Sequence, residues 1–301
     1  MRIAIFSGST SDGTLDQIVE EARVAESQGF AGFWVSQIFG HDALTVLAVV
    51  GREVPRIELG TGVVPTFPRH PMMLAQQSLT VNAASAGRFA LGIGLSHKLV
   101  VEDMWGLSYG KPVRHLREYL TVLMPLLDGS NVAFDGDEFR VHAGVSVQGI
   151  PRPGVYVAAL GEQMLRVTGA LADGTVTWCT GPETLRTHIV PTLTAAAEAA
   201  GRPAPRVVTA LPVCVTDDKA GAVARAAELF QVYGFLPSYR AMLDKEGAAG
   251  PQDVAIVGGE AEVGDRIRAL ADVGVTDFTA AEFGGNPDEV ARTRELLKTL
   301  L

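Results

Sequence analysis

The chain has 301 residues, of which 47% are hydrophobic and 20% charged, and its formal net charge is −9. That length suits one α/β barrel, and a mild, dispersed acidity without any basic block argues against a nucleic-acid partner. Its two cysteines, Cys179 and Cys214, fall in no CxxC or Cys/His cluster, so no structural zinc site is expected and no metal ligand is assigned.

The chain starts directly in an apolar run, residues 3–7, that reads as a strand. No leader pattern precedes it and no run approaches a membrane span, so a soluble cytoplasmic protein is expected. Residues 14–28 carry Leu15, Ile18, Val19, Ala22 and Ala25 at helical spacing, with Gly29 as a stop. Strand two is expected at 33–36, helix two at 43–52 and strand three at 57–65. Helix three follows at 71–86, with Pro71 in its first turn, and strand four at 89–94. A loop over 95–113 leads into a helix ending near 127. Strand-like runs at 132–134 and 139–141 flank Asp135-Gly136-Asp137-Glu138, a hairpin signal.

Strand five is expected at 154–159, helix five at 162–171, strand six at 175–179 and helix six over 182–200. Strand seven occupies 207–215, and helix seven 217–233 with Asp217 as N-cap. Residues 235–258 read as irregular, with helical pieces. A helix over 260–273, strand eight at 276–281 and a helix over 288–300 complete the pattern. Eight apolar strands alternating with helices predict an α/β fold, a closed (β/α)8 TIM barrel over residues 1–301. The hairpin at 130–142 and the stretch 235–258 are insertions at its carboxyl-terminal face. A doubly wound open sheet is the alternative.

Working residues of a barrel sit at the carboxyl ends of its strands. Here those ends are rich in Gly, Ser and Thr and poor in carboxylates. They offer no metal triad, no glycosidase acid pair and no Gly-x-Ser-x-Gly elbow. Such a rim suits a large planar ligand resting on main chain. Leu160-Gly161-Glu162-Gln163 leads from strand five into helix five, where free N–H groups suit a phosphate; an ordinary turn is the other reading.

Taken together, Leu59-Gly-Thr-Gly-Val-Val-Pro65, Arg69-His-Pro71, Ala75-Gln-Gln77 and Gly87-Arg-Phe89-x-Leu-Gly-x-Gly94 resemble the bacterial luciferase-like superfamily. The later block from Val157-Ala-Ala-Leu-Gly161 through Leu171-Ala-Asp-Gly-Thr175 is similar to the same family. Within it, the chain resembles the oxidoreductases that use the deazaflavin coenzyme F420. The resemblance implies a barrel whose insertions cover the mouth, and a non-prolyl cis peptide, here Gly62–Val63, in a bulge that backs the cofactor ring. It places Gly94, Leu95 and Ser96, with Ala159, Leu160, Gly161, Glu162 and Gln163, around the cofactor's side chain and phosphate. Gln37 and Ser7, at the ends of strands two and one, complete the expected cofactor-binding set. Where FMN-using relatives often carry an arginine, this chain has Leu95-Ser96-His97-Lys98.

His97 is the expected general acid, because imidazole titrates near neutrality; a loop histidine bonded to backbone is the alternative. Phe67 and Trp178 are expected on the substrate wall. Arg114 and Arg117 either pair with their helix neighbours or reach the cofactor tail. Capping is favoured for Asp42, and His70 is read as orienting the strand-three turn. The expected activity is hydride transfer between F420 and a small organic substrate, as in reduction of an activated C=C or C=N bond. An FMN-dependent monooxygenase and a non-catalytic flavin or deazaflavin carrier are the alternatives. A sugar-phosphate isomerase is a remoter one, with only Glu162 and Glu282 as bases. Relatives often form dimers, so a homodimer is a possible state.

Overall fold

Eight parallel staves close on themselves in the computed structural model, which describes residues 1–147 and 149–301. In chain order the strands are β1 (Arg2–Ser7), β2 (Gly32–Val35), β3 (Glu58–Thr61), β4 (Val64–Pro65), β5 (Phe89–Gly94), β6 (Val132–Asp135), β7 (Arg140–Ala143), β8 (Gly154–Val157), β9 (Gly174–Trp178), β10 (Arg206–Val215), β11 (Ile256–Gly258) and β12 (Asp277–Glu282). The circuit runs β1-β2-β3-β5-β8-β9-β10-β12 and returns to β1 through Arg2↔Asp277 and Ile5↔Ala280. The predicted closed (β/α)8 barrel is therefore the observed fold. β6 and β7 form the predicted antiparallel hairpin outside it.

Where expectation and structure differ, local geometry gives the reason. The expected strand three is two pieces, β3 and β4, because the chain bulges at Gly62 and Val63 before pairing again through Val64↔Ile93 and Pro65↔Gly94. The loop after β5 holds a π-helical turn, Val100–Met104, and another, Leu185–Ile189, interrupts the sixth expected helix. Asp218, not Asp217, caps the helix after β10: its carboxylate accepts from the Gly221 N–H, and the helix spans Lys219–Leu229. The stretch read as irregular contains the helix Pro237–Glu246 and β11, which pairs with Val213–Val215 of β10. Among the described residues no helix is long and apolar enough to cross a membrane.

Three layers fill the barrel axis. At the strand starts, Arg206 donates to Asp277 at 2.6 Å, to Glu58 at 3.0 Å and to the Tyr156 hydroxyl at 2.8 Å; Arg2 adds a second guanidinium beside Glu58 and Asp277. In the middle, Trp34 is fully buried and meets Tyr156 edge-on at 6.1 Å. Gly60 makes room for it, since a Cβ there would lie 2.2 Å from the indole. At the strand ends, Phe6, Val63 and Ala158 cap this inner cluster and leave space above. The larger apolar core lies outside the staves, where one face of each surrounding helix packs, as Ile18, Val19, Ala22 and Ala25 do from Leu15–Ser27.

Asp277 is almost wholly buried and depends on its guanidinium partners. Arg206→Met leaves it with Arg2, at 3.4 Å, as its one guanidinium partner, beside the Thr276 hydroxyl. The expected cost is about 2–3 kcal/mol of unfolding free energy, because an under-compensated carboxylate stays buried. Urea denaturation of the variant beside the parent chain checks this.

Candidate active site

The bulge of strand three is tied down from both sides. The Gly62 N–H donates to the Val35 carbonyl at 2.8 Å, the Gln37 N–H reaches the Val63 carbonyl at 3.4 Å, and the Thr66 N–H donates to the Gly94 carbonyl at 2.9 Å. The Gly62–Val63 peptide is cis, as the resemblance implies. Both neighbouring glycines are required by closeness. A Cβ on Gly94 would lie 2.6 Å from Val63 Cγ2, and one on Gly62 would lie 2.6 Å from the Phe6 ring.

Above this bulge lie two adjoining cavities of about 190 Å³ and about 470 Å³. Gly62, Val63, Ser96, His97, Trp178 and Tyr239 bound both. The smaller reaches toward Leu160, Gly161 and Met164; the larger opens past Gln37, Phe39 and Met104. Among the described residues, those lining either cavity include no Asp, Glu, Lys or Arg. The walls are instead aromatic: Trp178 stacks on Phe6 at 5.8 Å and meets Tyr233 edge-on at 5.7 Å. The indole N–H of Trp178 is buried without an acceptor.

Two strand ends carry uncommon backbone. Ser96, just past β5, has φ of 62°, and Cys179, just past β9, has φ of 47°. Non-glycine residues hold such angles only where their surroundings impose them, and they cluster at working sites. Both follow strands that deliver a cavity residue, His97 after Ser96 and Trp178 before Cys179. His97 is half-buried, its ring 5.9 Å from that of Tyr239, and burial lowers its pKa below the usual histidine value. At neutral pH it is therefore an uncharged imidazole.

Most predicted site residues converge here, and some do not. Gly62, Val63, Gly94, Leu95, Ser96, His97, Leu160, Gly161, Gln37 and Trp178 all line the cavities. The Gln37 amide oxygen accepts from the Ala43 N–H, at the start of the helix Ala43–Glu53. Ser7 does not face the space: its hydroxyl donates to Glu21 at 2.6 Å and accepts from the Ser9 N–H. Phe67 stacks on His115 at 4.0 Å behind Tyr109, so it supports the wall without lining it. Ala159 is fully buried behind the smaller cavity. Glu162 pairs with Arg166 on the outer surface, and Gln163 is exposed beside it.

Glu282 is held by Arg294, so neither carboxylate named for an isomerase faces the cavities. Arg114 binds Glu138 and Asp137 of the hairpin and is committed there. Asp42 caps its helix through the Thr45 N–H and pairs with Arg69 at 2.7 Å. His70 caps Pro71–Ala84 by accepting from the Met72 N–H. The helix Glu162–Leu171 begins at Gly161 without a side-chain cap, which leaves its first N–H groups free beside the smaller cavity. Tyr239 and Ser238 were missed, because their helix lies in the stretch read as irregular. Pro237 just inside its start and Gly247 just past its end are the bracketing signal that could have found it.

The sequence profile of the luciferase-like monooxygenase family matches residues 1–277. The chain belongs to this family. One relative is the 5,10-methylenetetrahydromethanopterin reductase of Methanolobus tindarius, 29% identical over 285 residues, which cover 93% of this chain and 86% of that one. Another is the F420-dependent glucose-6-phosphate dehydrogenase of Mycolicibacterium fortuitum, 30% identical over 221 residues, covering 67% and 65%. The coenzyme F420 dependent tetrahydromethanopterin reductase from Methanopyrus kandleri superposes with a TM-score of 0.82 over 99% of this chain and 97% of that one, at 21% identity. That structural likeness establishes the shared fold.

His115 anchors the far side of the bulge, with its Nε2 3.0 Å from the Thr66 hydroxyl. Burial outweighs the pull of Glu138 and Glu118 and pushes its pKa down to about 4. The unfolded chain therefore takes up this proton first as pH falls. Stability conferred by the neutral ring is complete above about 6.5 and drains away between there and about 4, on the order of 3 kcal/mol in all. His115→Gln is expected to flatten that acid limb in melting curves taken between pH 7 and 4.5.

Proposed function

We propose that this protein is an F420-dependent oxidoreductase that moves hydride between the deazaflavin and a small organic substrate, with reduction of an activated C=C or C=N bond as the forward reaction. The observation that carries the reading is the uncharged, aromatic-walled space lying on main chain at Gly62–Val63 with His97 at its edge. Two relatives whose names specify a methylene-pterin reductase and an F420-dependent dehydrogenase support the choice of chemistry.

The residues present suit the coenzyme. The bulge and Gly94 offer a floor of main chain with the Val63 side chain packed on Gly94, and a Cβ at Gly161 would meet nothing within 4 Å. Leu160 and Gly161, with the free N–H groups opening the helix Glu162–Leu171, would receive the phosphate. Trp178 would present its ring to a bound coenzyme or substrate. When bound, the coenzyme supplies the hydride; the protein fixes geometry and excludes water. That His97 lines both cavities supports it as the group that exchanges a proton with substrate. Among the described residues no arginine or lysine lines the cavities, so backbone N–H groups would hold the phosphate of either coenzyme; the singly charged diester of F420 asks less of them than the doubly charged monoester of FMN.

Titration with F420 and with FMN, followed by fluorescence, tests the assignment. Micromolar F420 binding and weak FMN binding are expected; tight FMN binding with oxygen-dependent turnover would establish the monooxygenase reading, and coenzyme binding without turnover on a broad panel of enones and imines the carrier. Gly94→Ala is expected to weaken F420 binding at least tenfold, since its Cβ must displace Val63. Reduction should accelerate as pH falls below 6.5 toward the lowered pKa of His97, because the donor is the protonated ring. His97→Gln should remove that limb and lower kcat about 100-fold, as read from pH–rate profiles.

A further inference from the structure

We infer that the substrate of this site is an uncharged, largely apolar molecule, bound in the larger cavity against an apolar rim. The inference rests on the reading above for the word substrate. Its physical basis is separate.

Three segments at the barrel mouth carry large apolar side chains in the open, the third being the short helix Gln231–Phe235. Ile38 and Phe39 follow β2, Leu99 and Met104 follow β5, and Val232 follows β10. Each is more than half exposed, Phe39 at 66%. All five line the larger cavity, so they form a continuous apolar collar leading down to His97 and Val63. Scattered exposed hydrophobics need no explanation, but a contiguous set around a concavity marks a binding surface.

The same walls exclude charge. No lysine, arginine or carboxylate lines either cavity among the described residues. In the larger cavity, which the free N–H groups at Gly161 do not line, a substrate phosphate or carboxylate would be desolvated without an ionic partner, which is costly. His97 gives no compensation near neutrality, because burial keeps it uncharged. The π-helical turn at the rim carries the acidic side chains Glu102 and Asp103; Lys98 beside it faces Glu102 at 3.7 Å. These acids disfavour an anion that enters the larger cavity over this side of the rim. The collar continues the wall of the catalytic cavity, so its occupant is the ligand of that cavity.

The test uses the full chain and a matched pair of enones, 4-phenyl-3-buten-2-one and its para-carboxylate, titrated by calorimetry. The neutral enone is expected to bind at least tenfold more tightly. Phe39→Asp should weaken its binding about fivefold, and Met104→Arg should shrink or reverse the preference. Equal or tighter binding of the carboxylate overturns the inference, and so does failure of both compounds to bind. If Phe39→Asp shifts the oligomeric state in sedimentation and leaves ligand preference unchanged, the collar is a subunit interface and the inference falls. F420 titration is read independently: a neutral preference without coenzyme binding rejects the proposed function and keeps the ligand class, while coenzyme binding without any preference does the reverse.

Discussion

The site depends on one short stretch of main chain, the bulge that divides β3 from β4. β3 pairs with β2 and β5 before it and β4 pairs with β5 after it, so the interruption is bounded and its position is set by register. Between those anchors Gly62 and Val63 leave the sheet and form the floor of the mouth. Close packing keeps the floor in place: Phe6 presses on Gly62, and Gly94 receives the Val63 side chain. Each contact requires a residue without a Cβ. Protein interiors of this density transmit a displaced methyl group to their neighbours, so small changes here act on the whole mouth.

Around that floor, polarity is arranged by depth. The strand starts hold the Arg206–Asp277–Glu58 network, and Asp173 takes both Arg152 and Arg202 nearby. The strand ends hold aromatic rings and backbone, with neutral His97 and the tyrosines as the polar groups of the walls besides Gln37 and the small hydroxyls. Electrostatic interactions gain strength where water is excluded. A cavity without fixed charges therefore leaves the field at a bound coenzyme to the coenzyme itself, to the free N–H groups at Gly161 and to the protonation state of His97.

Much of this was legible from the residues. Apolar runs of strand length separated by amphipathic helices give the barrel, and the glycines at strand ends mark the mouth. β5 and the helix Glu162–Leu171 match their expected bounds because glycines punctuate both clearly. What was not legible depended on tertiary contact. Ser7 looks like any strand-end residue until Glu21 arrives from the neighbouring helix to accept its proton. Phe67 is one residue of an aromatic stack assembled from three segments, through Tyr109 and His115. The π-helical turns are five residues each, too short for hydrophobic periodicity to reveal them. β11 is three residues long and gains its identity only by pairing with the end of β10.

The concentration of ion pairs at one end of the barrel has a consequence for how such a chain can diverge. Segments after β2, β5 and β10 build the collar yet contribute nothing to the guanidinium–carboxylate lattice at the opposite end. Exchanging those segments would redraw what the mouth admits while the clasp joining first and last staves stays intact. Ligand choice in this scaffold can therefore drift by segment replacement, without first being rescued by compensating substitutions underneath.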